Sequence, residues 1–184
     1  IGCNMHALED SMPVVKLSHA LKSYGGSAWG ANPKVGDTAS WNALFRYADW
    51  LGFDWCRLGL SFRIFEPQKD KFTFDSYEMQ VLCCYLDYFQ SRNINVFLQH
   101  YWMDAAWMVP DSFRNDRIKV IRGAPADIEV YTDGLIKLLQ YLINDRKYTC
   151  IKQICITNEP FENWSWFMKS FNPEQYDSPV PAYK

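Results

Sequence analysis

Short apolar runs and longer helical stripes alternate along this chain. Ile1 to Met5 is small and apolar, leads into His6 and reads as a first strand. Asp37 or Thr38 then caps a helix to about Leu51, with Trp41, Leu44, Phe45, Ala48 and Leu51 at helical spacing and Gly52 as its stop. Phe53 to Leu60 is a second apolar strand that only Arg57 interrupts. Asp75 with Glu78 resembles a capping box opening a helix to about Arg92, which Asn93 breaks. Ile94 to His100 is a third strand. A third helix is predicted over roughly Ala126 to Lys147, with Ile128, Tyr131, Leu135, Leu138, Leu139 and Leu142 on its apolar side. The β-branched run from Cys150 to Thr157 is a fourth strand, and it ends in Asn158-Glu159-Pro160, where the proline stops the ladder.

The order β, α, β, α, β, α, β predicts an α/β fold with a parallel sheet and right-handed crossovers. No Gly-x-Gly-x-x-Gly follows the first strand and no P-loop occurs, which disfavours a nucleotide-binding doubly wound sheet. About thirty irregular residues after His6, punctuated by Tyr24-Gly25-Gly26 and Asn32-Pro33, read as a binding-side loop. Ser61 to Phe74, with Phe65-Glu66-Pro67 inside it, and Pro110 to Pro125 are the other long connections.

Composition narrows the function classes. The 184 residues suit one domain with a sizeable core, being 48% hydrophobic. A net charge of −2 favours neither nucleic acid nor an acidic membrane surface, and no apolar run is long enough to span a bilayer. The 17% aromatic fraction exceeds what a core requires, because several tryptophans fall in loops just past predicted strands. Six cysteines show neither CxxC nor a Cys/His metal spacing, so free thiols are expected and no metal or other cofactor. No signal peptide is legible.

In a barrel of parallel strands the carboxyl ends face the active site. Arg57 lies in or near the end of strand two, His100 ends strand three, Asn158 and Glu159 end strand four, and His6 follows strand one. Each has a structural alternative: an ion-pair partner for Arg57, a satisfied core histidine for His100, a turn for Asn158 and a loop or helix cap for Glu159. Their shared location favours a site. A Glu on a rigid strand end among aromatic neighbours suits a general acid of raised pKa.

The stretch Ile154-Cys155-Ile156-Thr157-Asn158-Glu159-Pro160 resembles the fourth-strand motif of clan A glycoside hydrolases, the (β/α)8 enzymes that include family 5 cellulases and mannanases. Arg57 in Cys56-Arg57-Leu58 resembles their second-strand arginine. His100 in Leu98-Gln99-His100-Tyr101 resembles their third-strand histidine, although Trp102 shifts the local pattern.

The resemblance implies a (β/α)8 TIM barrel of which residues 1–184 are the N-terminal part, roughly strands one to four. It implies a retaining glycoside hydrolase acting on β-linked glycans, with Glu159 as acid/base, Asn158 on the sugar 2-hydroxyl and Arg57 supporting the nucleophilic carboxylate. His6, His100, Trp102 and Trp164 join as substrate-binding candidates, and Trp29, Trp107 and Trp166 as further sugar platforms. Retaining enzymes need a second carboxylate roughly 5–5.5 Å from the first. The family carries it on strand seven, and neither Glu66 nor Glu162 matches that place. The expected partners are therefore an oligosaccharide or polysaccharide and the rest of the barrel, with no nucleic acid or membrane. Secretion or a periplasmic location suits glycan degradation. A non-catalytic carbohydrate-binding or assembly fragment is the rival reading, and a metal hydrolase using His6 and His100 a weaker one.

Overall fold

The computed structural model describes residues 2–6, 32–100, 103, 105–115 and 123–156, with residues 2–6 and 106 as backbone only. The elements are β1 (Gly2–His6), α1 (Thr38–Leu51), β2 (Trp55–Leu60), α2 (Tyr77–Ser91), β3 (Asn95–His100), α3 (Ile128–Leu139) and β4 (Ile151–Cys155). The strands form one sheet in the order β1-β2-β3-β4. β1 pairs with β2 in parallel, with Cys3 opposite Cys56, Asn4 opposite Arg57 and His6 opposite Gly59. The predicted alternation and sequential order therefore hold, giving a mixed α/β arrangement with a parallel sheet. Closure into a complete barrel lies beyond these elements.

The chain divides into two compact units. The first comprises Ile1–Leu60, Asp75–Leu98 and Lys147–Ile154. Its core collects Cys56, Leu58 and Leu60 of β2, Leu82, Leu86 and Phe89 of α2, and Val96 and Leu98 of β3, all nearly or fully inaccessible. Aromatic contacts join its two helices: Phe45 stacks on Tyr88 at 3.9 Å and Trp41 meets Tyr85 edge-on at 5.1 Å.

Local chemistry sets the helix ends. Asp37 caps α1 by accepting from the Ser40 hydroxyl at 2.7 Å and the Ser40 amide at 3.1 Å, and these hydrogen bonds hold its carboxyl below the usual range. Gly52, at φ 60°, closes α1 in the left-handed conformation. The cap of α2 is Ser76, not the expected Asp75. Its hydroxyl, on the residue just before the first helical one, accepts from the Met79 amide at 3.1 Å, while the Asp75 carbonyl accepts from Gln80 Nε2. Asn93, at φ 55°, ends the turn after α2, in keeping with its role as a helix breaker.

The second unit comprises Ser61–Phe74, Gln99–Arg146 and Cys155–Lys184. Asp127 caps α3, accepting from the amides of Glu129 and Val130 at 3.0 and 3.1 Å. The long helix predicted to Lys147 is α-helical only to Leu139 and continues as a π-helical turn over Gln140–Asp145. In that wider turn Leu142 is buried and Tyr141 stacks on Phe74 at 4.5 Å. Ile128, assigned to the apolar side, is 53% exposed because it sits in the first turn, before the buried stripe of Tyr131, Leu135 and Leu138 begins. Among the described residues Cys56, Cys83, Cys84, Cys150 and Cys155 are free thiols. No helix among them is long and apolar enough to cross a membrane.

Candidate functional site

The predicted site residues fall into three groups. Glu159, Asn158, Trp102 and Trp164, together with Trp29, Trp166 and Glu162, lie outside the described residues. His6 and Arg57 fall on the same strand pair but are not register partners. Positions 4 and 57 are opposite one another, as are 6 and 59, and every second residue of a strand shares a side. Positions 6 and 57 therefore occupy one face of the β1–β2 pair, and Arg57 is half-buried there. His100 closes β3 within the second unit.

His100 has no exposed surface. Its Nδ1 lies 2.9 Å from the Tyr131 hydroxyl, and that hydroxyl donates to the carbonyl of Ile156, the residue following β4. Phe62, in the 3-10 turn after β2, packs on both rings. It meets His100 edge-on at 5.0 Å and stacks on Tyr131 at 4.9 Å. Burial lowers the imidazole pKa to about 4, and only the nearby Ile156 carbonyl opposes that shift. The ring is therefore neutral at physiological pH. Its Nε2 has no hydrogen-bond partner among the described residues. A buried neutral imidazole with one nitrogen engaged and one open can hold a neighbour in place or take a proton from a donor brought to it.

Glu66 is the second buried titratable group of this unit, 1% exposed. One carboxyl oxygen accepts from the Asp70 amide at 2.9 Å, and Oε2 has no partner among the described residues. Burial, reinforced by the charge of Asp70, raises its pKa. Room for this carboxyl comes from Gly134 of α3. A Cβ there would lie 2.5 Å from Glu66 Oε2 and 2.7 Å from Phe62 Cε1.

The Glu66 carbonyl also receives the Trp107 indole N–H at 3.3 Å. Trp107, one of the expected sugar platforms, is half-buried beside a cleft of about 120 Å³ lined also by Lys69, Arg114, Asp127 and Tyr131. Small-molecule sites usually run to roughly 300–1,000 Å³, so this cleft by itself does not hold an oligosaccharide. No three His, Cys, Asp or Glu side chains among the described residues are grouped as a metal site.

Tyr131 and Glu66 carry chemistry that the residue pattern does not assign them. By pattern, Tyr131 is only part of an apolar stripe. The available signal is its hydroxyl, which requires a partner wherever the ring is buried. Glu66 reads as a loop acid, and its place between Phe65 and Pro67 marks it as a carboxylate in apolar company.

No protein-family model matches the chain. No curated protein matches it either. Among solved structures, an endocellulase from Pyrococcus horikoshii, in complex with cellotetraose, is similar at 13% identity with a TM-score of 0.46. The likeness covers 72% of this chain and 37% of that one, so the chain spans well under half the length of that enzyme. A likeness of that degree fixes neither family nor substrate.

Proposed function

We propose that the chain is the N-terminal part of a (β/α)8 glycoside hydrolase that cleaves β-linked glycans with retention, and that Glu159 is its acid/base. The observation that supports this most is β4. It is the fourth strand of a sequentially ordered sheet, and the chain runs from it through Ile156 and Thr157 into Asn158-Glu159-Pro160. Active sites of parallel barrels are built from the carboxyl ends of their strands.

Chemically, glycosidic cleavage has an oxocarbenium-like transition state and a poor alkoxide leaving group. A protonated carboxyl at Glu159 would donate to the leaving oxygen, and an amide at Asn158 would bind the 2-hydroxyl, where contacts strengthen in the transition state. Arg57 and His6, on one face of the β1–β2 pair, suit the orientation of a carboxylate or a sugar hydroxyl. The nucleophile, in this reading, lies in the rest of the barrel, and the protein is secreted or periplasmic.

The test is Glu159→Gln in the full-length protein, which keeps shape and hydrogen bonding and removes the proton. Hydrolysis of glycosides with poor leaving groups should fall about 10²–10⁴-fold, the usual worth of general acid catalysis. Glycosides with activated aryl leaving groups should lose much less in the glycosylation step. Small, equal losses on both would reduce Glu159 to a structural cap. The rival, a carbohydrate-binding or assembly fragment without catalysis, predicts glycan binding by the full-length protein with no turnover of either substrate.

A further inference from the structure

The register of the first two strands sets two cysteines opposite one another. β1 and β2 run parallel, with Cys3 as the partner of Cys56. Neighbouring strands lie roughly 4.7–4.9 Å apart, and paired positions belong to the same face of the sheet. A disulfide asks for a Cα separation of about 4.4–6.8 Å, so the backbone at positions 3 and 56 meets that requirement without rearrangement. This is the one such pairing among the described strands. β3 contains no cysteine, so Cys155 of β4 has none opposite it there.

The shared face is the core face of the first unit. Cys56 alternates with Arg57, and Leu58 and Leu60 follow Cys56 on its own side, all nearly or fully inaccessible. Positions 4 and 6 belong with Arg57 to the opposite face. A bond between positions 3 and 56 therefore holds β1 to β2 from the core side, away from the polar residues at the strand ends. The loop it closes contains the long irregular stretch after His6 and all of α1. Closing so long a loop takes much freedom from the unfolded chain.

We propose that Cys3 and Cys56 are an oxidisable pair, which a low-molecular-weight disulfide such as glutathione disulfide converts into a bond stapling β1 to β2. One cysteine thiolate attacks a sulfur of the oxidant and expels half of it as a thiolate, leaving a mixed disulfide. The other cysteine thiolate then attacks the protein-bound sulfur, and the second half of the oxidant leaves. The two cysteines give up two electrons to the oxidant's S–S bond, and their two protons end on the two expelled thiolates. Cys56 is in the thiol form in this structure, the reduced member of the couple. Its sulfur is buried, so the exchange takes place while the chain folds, or when β1 lifts from its end of the sheet. The staple stands independently of the glycosidase reading.

The experiment uses the full-length protein, unfolded and then refolded either in glutathione with glutathione disulfide or in dithiothreitol. Remaining thiols are alkylated, and the protein is digested without reduction for mass spectrometry. In the oxidised sample the peptides carrying Cys3 and Cys56 should be joined, and dithiothreitol added before digestion should separate them. Oxidised wild type should melt about 5 °C or more above reduced wild type, as a bond closing a long loop leads one to expect. Cys3→Ser should abolish that difference and leave Cys56 alkylated. Cys84→Ser, which removes a half-buried thiol of α2, should retain both the bond and the difference. Full alkylation of Cys3 and Cys56 after oxidative refolding, a bond from either to another cysteine, or equal melting of linked and reduced wild type would each overturn the proposal. The peptide map is read on the wild type, so it decides the matter even where a variant fails to fold.

Discussion

The two units handle buried polarity in opposite ways. In the first, buried tyrosine rings send their hydroxyls outward to surface carboxylates: Tyr88 to Asp49 at 2.8 Å and Tyr148 to Asp87 at 2.6 Å. Asp49 is also bridged by Arg92 at 2.9 Å. All four polar or charged residues that are buried among the described ones belong to the second unit: Ser61, Glu66, Gln99 and His100. There the tyrosine hydroxyl turns inward, to a histidine without exposed surface and a backbone carbonyl. Groups whose charge is disfavoured by burial destabilise a fold or serve it, and they concentrate where sites are built. The contrast separates a unit whose buried tyrosines reach exposed carboxylates from one whose buried polar groups stay inside.

Acid is the sharpest way to break this contrast. The folded-state pKa of His100, about 4, lies below its ordinary 6.5. The unfolded chain thus binds the proton first, so stability is full above pH 6.5 and declines as pH falls toward 4. The distance between those two values corresponds to on the order of 3 kcal/mol. Urea denaturation of wild type and His100→Gln at a series of pH values should show the wild type with the steeper loss across that window. Parallel curves would mean that the imidazole is not buried as a neutral ring.

Next in size is Gly134→Ala. The new methyl would press on Glu66 Oε2 and Phe62 Cε1, and overpacking of this kind typically costs about 1–3 kcal/mol. Replacing a mid-helix glycine by alanine returns at most about 1 kcal/mol. A net loss of about 1 kcal/mol in thermal or chemical denaturation is expected from the difference of these two effects, and Glu66→Ala in the same background should relieve the part that comes from the carboxyl while the Phe62 contact remains. A stabilised Gly134→Ala would show that the carboxyl moves aside freely.

The smallest effect is expected in the first unit. Asp49 has its pKa lowered by hydrogen bonds from Arg92 and then Tyr88, but it stands in solvent, where water and salt screen such a pair. Asp49→Asn can still accept from Tyr88, and its melting temperature should match the wild type's in both low and high salt. A clear drop would mean that the outward-facing network of this unit carries stability despite its exposure.

Much of the fold is legible in the sequence because it depends on local periodicity. The apolar runs ending at Leu60 and His100 and the stripe through Tyr131, Leu135 and Leu138 place β2, β3 and α3 without any tertiary information. Departures occur where neighbours compete for one role. Ser76 outcompetes Asp75 as a cap by standing one residue closer to the helix. The end of the third helix widens into a π turn, for which a one-dimensional pattern has no signature.

The candidate site divides along the same line. Residue types at strand ends are a property of the chain alone, so Arg57, His100, Asn158 and Glu159 stand out by their positions in the sequence. Which groups share a site depends on contacts between residues far apart in sequence. His100 meets Tyr131 across 31 residues, and Tyr131 meets Ile156 across 25. These contacts and the space Gly134 leaves for Glu66 exist only once α3 is set against the loops that follow the strands. Sequence determined which side chains were available and which strands carry them. Tertiary packing decided their partners and their charge, because desolvation and hydrogen-bond geometry arise only between surfaces that folding brings together.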